Sequence, residues 1–271
     1  GQDNVFINER TEHFDALRAS LEGCTPEWAA PLTGLQPEAI RETARLYAKG
    51  PNSIILYCMG VTQQVTGTRT CGALANLVML CGMIGRPSTG LIPLRGQNNV
   101  PGACDMGAQP VDFPGYQKLA RPEVREKFEK AWGVALPKEP GITATECFPA
   151  AIEGKIKGMF IFGEDPVRTD ADTHHIIRAL ENLEFLVVDD LFLTETTKYA
   201  DVVLPGRSFA EKEGTFTNTE RRVQRVRKAI EVAGDEKLDT WIFTQIMNRM
   251  GYAQPDLTSA QIMDEIASVT P

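Results

Sequence analysis

The chain has 271 residues, of which 42% are apolar, 24% charged and 7% aromatic, a profile typical of a soluble globular protein with one large or two smaller domains. Acidic residues outnumber basic ones by 36 to 28, and the resulting formal net charge of −8 disfavours nucleic acid as a partner. The longest apolar stretch, around 71–84, is interrupted by glycine and asparagine, which disfavours a membrane span.

Helix and strand patterns alternate along the first part of the chain. Pro37 in a first-turn position and a stop at Gly50 predict a helix over 37–49. The continuous apolar run 53–58 predicts a strand that is covered on both faces. A helix rich in small residues is predicted over 67–82. Its inward side chains are predicted to be Ala73, Leu77 and Leu80.

The segment 86–114 is rich in proline and glycine and is predicted to be irregular. A loop of this length inside a folded protein is usually functional or disordered. Regular elements resume after it. They are predicted as helices over 122–132 and 145–153, strands over 156–162, 185–188 and 202–204, a helix that begins at a Thr169–Asp172 capping box, and closing helices over 238–250 and 258–267.

Alternating strands and helices predict an α/β fold with parallel sheets. We expect two linked lobes of parallel or mixed sheet flanked by helices, over 1–97 and 98–271. The first lobe lacks strands that would complete its sheet. Because an uncovered sheet edge favours pairing with another chain, homo-oligomers are expected.

Glycine or aspartate stands at the carboxyl ends of three predicted strands, as Gly60, Gly163 and the pair Asp189–Asp190. Ordinary turn chemistry explains any one of them, but their repetition indicates a ligand cleft, because α/β sheets bind ligands at this edge. Neither a GxGxxG fingerprint nor a GxxxxGK[ST] loop occurs, so an ordinary NAD site and a P-loop site are not indicated. Amides, hydroxyls and carboxylates at these strand ends fit a cofactor that carries a nucleotide, but they do not identify which cofactor it is.

The six cysteines form no CxxC pair, and the three histidines form no HExxH motif. Free thiols are therefore expected, and a metal site built from this chain alone is not. The chain opens without Met and without a basic and apolar leader, which predicts an N-terminus inside a longer protein. A cytoplasmic location is expected.

Arg95 is the one charged residue between Arg86 and Asp105, in the string RGQNNVPGACDMG. Most arginines of this kind are surface cations or form ion pairs. The functional interpretation is a planar fork that binds a small anion through two parallel hydrogen bonds. The chemistry of the residues leaves these two interpretations about even.

Five strings resemble the molybdopterin oxidoreductase family, in the same order and with similar spacing from about Phe6 to Met250. They are CMGVTQ, RGQNNVPGACDMG, GEDPVRTDAD, FLVVDDLFLTETTKYADVVLP and EKEGTFTNTERRVQR. Within the family the chain is most similar to the catalytic subunits of molybdenum- or tungsten-dependent formate dehydrogenases. Arg207 departs from the pattern, since many members carry a small residue there.

The resemblance implies a bis(molybdopterin guanine dinucleotide) cofactor carrying molybdenum or tungsten. It also implies that Arg95 orients the substrate formate at the metal, with Gln97 close by, and that electron-transfer subunits are partners. The implied cofactor-binding residues are Met59, Gly60, Gln63, Gly96, Gly163, Asp165, Pro166, Thr169, Asp189, Asp190 and Thr194.

The resembling enzymes also carry a cysteine or selenocysteine metal ligand followed by histidine, and a four-cysteine motif for a 4Fe–4S cluster. Neither pattern occurs in this sequence, so the chain is expected to be an internal piece that is inactive alone. One alternative is a reductase of nitrate or a similar oxyanion, which Arg95 would suit equally well. Another is a pterin-free scaffold such as the large iron–sulfur subunit of NADH dehydrogenase, and a generic nucleotide-binding domain is the third.

Overall fold

The chain divides into two units, Gly1–Asn98 and Asn99–Pro271, in the computed structural model. The structure describes residues 1–232 and 234–271. Both units are mixtures of helices and small sheets, so the fold is α/β with small parallel sheets and antiparallel strand pairs. Across the described residues, no helix is both long enough and apolar enough to cross a membrane.

The first unit consists of helices around one parallel strand pair. Its elements are α1 (Asn4–Arg10), α2 (Phe14–Ser20), α3 (Pro26–Thr33), α4 (Pro37–Lys49), β1 (Ile54–Tyr57), α5 (Met59–Thr62), α6 (Gly67–Leu80) and β2 (Gly90–Pro93). The helix predicted over 37–49 is confirmed as α4. Proline in its first turn and Gly50 at its end set these bounds.

The core of the first unit forms around α6, on a different helix face from the one predicted. Val78 is fully buried, and Ile55 of β1 packs in the same cluster. Leu77 is 36% exposed, Ala73 is exposed and Leu80 is half-buried, so the predicted inward face is wrong. Small and apolar residues occupy most of the circumference of α6, and the sequence pattern therefore does not single out one face.

Strand β1 is covered on one face within its unit. Ile55 faces the core, whereas Ile54 and Leu56 are 45% and 60% exposed. The prediction that the run 53–58 is covered on both faces is therefore wrong for this chain. The run is apolar on both sides, but only one layer of the unit packs against it.

The segment 86–114, predicted to be irregular, contains regular structure. Strand β2 pairs in parallel with β1, with Pro93 opposite Tyr57. A helix follows at Val100–Asp105. The prediction failed at β2 because the strand has only two apolar residues at its centre, flanked by Gly90 and Pro93. Two apolar residues are too few to show a strand pattern.

The second unit contains a three-stranded parallel sheet and two short antiparallel pairs. Its elements are α7 (Val100–Asp105), β3 (Asp112–Phe113), β4 (Gln117–Lys118), α8 (Pro122–Trp132), α9 (Ala144–Ile152), β5 (Gly158–Phe162), α10 (Pro166–Thr169), α11 (Thr173–Glu181), β6 (Phe185–Asp190), β7 (Val202–Pro205), β8 (Gly214–Thr217), β9 (Val223–Val226), α12 (Asp239–Arg249) and α13 (Ser259–Val269). The helix predicted over 122–132 is confirmed as α8, and the strand predicted over 185–188 extends to Asp190.

Strand β6 lies in the centre of the parallel sheet, between β5 and β7. On one face, Leu186 and Val188 pack with Ile176 of α11 in the main hydrophobic core. On the other face, the ring centres of Phe160 in β5 and Phe243 in α12 lie 5.5 Å apart. Because the strands are parallel, all three end at the same edge of the sheet.

Helix α11 begins at a cap formed by Asp172, whose Oδ1 accepts the N–H of His175 at 3.0 Å. Thr169 is the last residue of α10 instead, so the predicted Thr169–Asp172 capping box is wrong. The hydroxyl of Thr169 is already bonded within its own turn, to the C=O of Asp165 at 3.2 Å.

Candidate functional site

One group of the predicted site residues lies at the carboxyl edge of the β5–β6–β7 sheet. Gly163 follows β5 with a φ of +62°, a backbone conformation that glycine adopts without strain. Its N–H donates to the C=O of Asp189 at 2.8 Å, which holds the two strand ends together. The group comprises Gly163, Asp165, Pro166, Thr169, Asp189, Asp190 and Thr194.

Asp165 ties the turn after β5 to the segment after β6. Its Oδ1 accepts the N–H of Thr196 at 3.0 Å and the hydroxyl of Thr196 at 2.6 Å. Thr196 is fully buried, and its Oγ1 in turn accepts the N–H of Val167 at 3.3 Å. Asp165 therefore shapes this edge of the sheet through Oδ1.

Pro166 and Thr169 are the two ends of α10. Pro166 is buried in the first turn, where its missing N–H costs no helical hydrogen bond. Thr169 is exposed, and its hydroxyl donates to Oε1 of Glu164 at 2.9 Å. Only Thr169 of this pair presents a polar side chain to solvent.

Asp189 is a buried carboxyl group without a partner. It is 1% exposed, and neither of its oxygens accepts a hydrogen bond from any residue in 1–232 or 234–271. A Cβ atom at Gly206 would lie 2.7 Å from Oδ1 of Asp189 and 3.2 Å from Oδ1 of Asp239, so glycine there leaves room for both carboxyl groups. Buried acceptors of this kind need a donor, which indicates a ligand or a proton.

Burial and the neighbouring charges together raise the pKa of Asp189 to about 6. Burial is the largest cause; the Asp239 and Asp190 carboxylates also raise the pKa, and the Lys212 ammonium lowers it. Lys212 is itself paired with Asp239. The cation therefore neutralises Asp239 first, and Asp189 is left for another partner.

Asp190 and Thr194 enclose an exposed apolar segment, 191–193. Oδ1 of Asp190 accepts the N–H of Leu191 at 2.6 Å. Oγ1 of Thr194 is buried and has no hydrogen-bond partner in the described part of the chain. Phe192 is 75% exposed. Two buried polar groups without partners in the described residues thus lie at the carboxyl end of β6, Asp189 within the strand and Thr194 after it.

The first unit brings the remaining predicted residues to the carboxyl edge of its own strand pair. Met59 and Gly60 begin α5 directly after β1, and the N–H of Gln63 donates to the C=O of Met59 at 2.8 Å. Arg95, Gly96 and Gln97 follow the end of β2, which is the neighbouring strand. The exposed group comprises Met59, Gly60, Gln63, Arg95, Gly96 and Gln97.

Arg95 is exposed and takes part in none of the ion pairs among residues 1–232 and 234–271. The N–H of Leu94 donates to the C=O of Tyr57 at 2.7 Å and fixes the chain directly before it. Burial and a hydrogen bond with the Cys71 thiol raise the pKa of Tyr57, and the charge of Arg95 acts against this rise. The guanidinium of Arg95 is therefore available to an anion.

Asp189 is surrounded by three residues that were not predicted as site residues, because they come from later parts of the chain: Gly206, Lys212 and Asp239. Asn99, which has a φ of +62°, was not predicted either. Asparagine adopts this left-handed conformation more readily than most residues, so the Asn-Asn pair in RGQNN was the available signal.

Comparison with known proteins gives relatives along the whole chain. The chain is 45% identical to the F420-dependent formate dehydrogenase 1 subunit alpha of Methanococcus maripaludis, over 99% of this chain and 40% of the relative. It is 44% identical to formate dehydrogenase H of Escherichia coli, over 99% of this chain and 38% of that protein. The chain thus spans about two fifths of the length of these curated relatives.

The fold is shared with a solved structure. Acetylene hydratase from Pelobacter acetylenicus superposes with a TM-score of 0.68 at 19% identity, over 93% of this chain and 37% of that one. The family model for molybdopterin oxidoreductases matches residues 6–249. The chain therefore belongs to the molybdopterin oxidoreductase family.

Proposed function

We propose that this chain is part of the catalytic alpha subunit of a formate dehydrogenase that oxidises formate to carbon dioxide. The observation that carries the proposal is Arg95, an exposed guanidinium two residues after the end of β2 that forms no ion pair in the described residues. Relatives named as formate dehydrogenase alpha subunits, at 45% and 48% identity, support it.

Arg95 and Gln97 bind and orient the substrate. The planar fork of Arg95 donates hydrogen bonds to both oxygens of a one-carbon carboxylate and stays charged at any working pH. The Gln97 amide adds a donor two residues further along the same string. Fixing both oxygens leaves the C–H bond of formate as the free end, which is the bond that oxidation breaks.

The residues at both strand edges fit a bis(molybdopterin guanine dinucleotide). Asp189 and Thr194 offer buried polar atoms that lack partners in the described residues, and the pterin and guanine rings carry N–H donors that match a carboxylate. The residues that would hold the cofactor are Met59, Gly60, Gln63, Gly96, Gly163, Asp165, Pro166, Thr169, Asp189, Asp190 and Thr194. A cofactor held there would supply the molybdenum or tungsten centre that takes up the two electrons of formate.

We assign residues 1–97 to a partial lobe of the active-site domain and residues 98–271 to a second lobe that binds the dinucleotide cofactor. The metal ligand and the 4Fe–4S motif belong to parts of the enzyme outside this chain. Electron-transfer subunits receive the electrons. The designation of relatives as alpha subunits supports such partners.

The experiment is a substrate panel on the full-length, cofactor-loaded protein that carries this chain. Formate is tested as donor with an oxidised dye, and nitrate is tested as acceptor with a reduced dye. Formate-dependent dye reduction without nitrate turnover is expected. Nitrate reduction without formate oxidation would assign the site to the oxyanion reductases instead.

A further inference from the structure

Asn99 stands four residues after Arg95 and binds the free edge of β8 through its side chain. Its Oδ1 accepts the N–H of Thr217 at 2.9 Å, and its Nδ2 donates to the C=O of Thr215 at 3.3 Å. Residues two apart on a strand present these groups to the same edge. The amide of Asn99 therefore takes the place of one residue of a neighbouring strand.

The conformation of Asn99 is adapted to this contact. Its φ is +62°, and it is the residue directly before α7. A Cβ atom at Gly102 would lie 2.1 Å from Oδ1 of Asn99, so the glycine makes room for the amide over the first turn of α7. Any larger residue at Gly102 would push the amide away from β8.

The other end of α7 is held to the same hairpin. Oδ1 of Asp105 accepts a hydrogen bond from Nη2 of Arg221 at 3.0 Å, and Arg221 lies in the connection between β8 and β9. The guanidinium carbon of Arg221 lies 5.8 Å from the centre of the Tyr116 ring. Both ends of α7 are thus fixed, and the residue that precedes the helix is fixed with them.

We propose that Asn99 is a positioning residue for Arg95, because it anchors the end of the RGQNN string to β8. The start of the string is fixed in the first unit, where Leu94 donates to Tyr57. The next four residues, 95–98, are all exposed. The two hydrogen bonds of Asn99 are therefore the first side-chain anchor that follows Arg95 in the sequence. This inference rests on the proposed role of Arg95 in binding formate.

The first test measures the string without any catalysis. Trypsin cleavage between Arg95 and Gly96 in the 271-residue chain is followed by mass spectrometry for the wild type, Asn99→Gly and Gly102→Ala. Glycine tolerates the left-handed backbone, so Asn99→Gly removes the amide without strain. Both variants are expected to be cut at least about fivefold faster, because cleavage follows local opening. An unchanged cleavage rate in both variants would overturn the proposal that Asn99 anchors the string.

The matched control is Asn248→Ala. Asn248 also binds the main chain through both ends of its amide, donating to the C=O of Gln254 at 3.1 Å and accepting its N–H at 2.6 Å. This variant loses the same number of hydrogen bonds away from α7. Cleavage at Arg95 is expected to stay at the wild-type rate, and equal acceleration would show a general loss of stability that overturns the proposal.

The second test uses the loaded full-length enzyme. Asn99→Gly is expected to raise KM for formate by about tenfold or more, with kcat within about threefold, because misplacement of a binding group weakens substrate capture. Asn99→Asp keeps the acceptor for Thr217 and is expected to recover part of the loss. A KM equal to that of the wild type would overturn the positioning role. If the wild type itself does not oxidise formate, the proposed function fails, and the trypsin rates still decide whether Asn99 anchors the string.

Discussion

Arg95 and Asp189 are the two charged side chains on which the functional interpretation depends, and the structure leaves each without a hydrogen-bonded protein partner among the described residues. The sequence identified both, Arg95 as a lone charge among amides and Asp189 at a strand end. It did not predict that Asp189 is buried and unpaired. That property depends on Gly206, Lys212 and Asp239, which the fold brings to β6 from elsewhere in the chain.

Asp189→Asn is expected to remove part of the pH dependence of stability. The pKa of Asp189 is about 6 in the folded chain against an ordinary value of 3.8, so the folded state binds the proton more tightly and loses stability as the pH rises from about 4 to 6. The difference corresponds to roughly 3 kcal/mol at most. Urea unfolding at pH 4.5 and 7.5 measures about two thirds of this difference.

The asparagine variant should therefore exceed the wild type in stability by clearly more at pH 7.5 than at pH 4.5, where only about a third of the loss has occurred. Asp256→Asn, at an exposed position, serves as the matched control and should keep the wild-type slope. Identical slopes for the wild type and Asp189→Asn would contradict the burial of an unpaired carboxyl group.

Elements with clear end signals were predictable to the residue, whereas elements without them were not. Helices α4 and α8 both begin at a proline, and Gly50 and Gly133 follow their last residues. Strand β2 and the packed face of α6 were not predicted, because a two-residue apolar centre and a ring of small residues carry too little pattern. Packing within the unit determines where β2 forms and which face of α6 is buried.

Helix α11 is capped by Asp172 alone and not by the predicted Thr169–Asp172 capping box, and one variant at each position tests this difference. Asp172→Ala is expected to lower the free energy of unfolding by about 1 kcal/mol, because the N–H of His175 loses its acceptor. Thr169→Ala is expected to cost less than about half of that, since its hydroxyl bonds lie at an exposed position. Chemical denaturation measures both, and the reverse order would restore the role predicted for Thr169.

The exposed face of β1 is expected to drive self-association of the 271-residue chain. Leu56 is 60% exposed on a parallel strand pair, and such pairs are normally covered on both faces. Leu56→Ser should reduce association in light scattering and change the free energy of unfolding by less than about 1 kcal/mol.

Ile55→Ala is the matched variant on the covered face of β1. It should leave association in place and cost about 2–4 kcal/mol, because Ile55 packs in the core. A monodisperse wild-type monomer at high concentration would contradict the expectation of self-association.

The order of motifs along the whole molecule carried the family assignment. The resemblance from about Phe6 to Met250 agrees with the family match over residues 6–249. Local patterns alone reached only an α/β fold with a ligand edge, since the strand tips lack the usual nucleotide fingerprints. Five sequence motifs in a fixed order identify a family far more specifically than the residues at any single strand end.

The 271-residue chain is expected to show no formate turnover by itself. None of its six cysteines is followed by histidine, so the pattern expected for the metal ligand is not within these residues. Formate with an artificial acceptor should give no dye reduction with the isolated chain. Measurable turnover would contradict the assignment of the metal ligand to another part of the enzyme.

Kinetics of Arg95→Ala in the loaded full-length enzyme test the role of this guanidinium most directly. We expect kcat/KM for formate to fall by about a thousandfold or more, because the carboxylate loses its bidentate partner, with partial recovery in Arg95→Lys. Arg178→Ala, at an exposed arginine on α11, should stay within about twofold of the wild type. An Arg95→Ala enzyme that keeps wild-type kcat/KM for formate would contradict the proposed site.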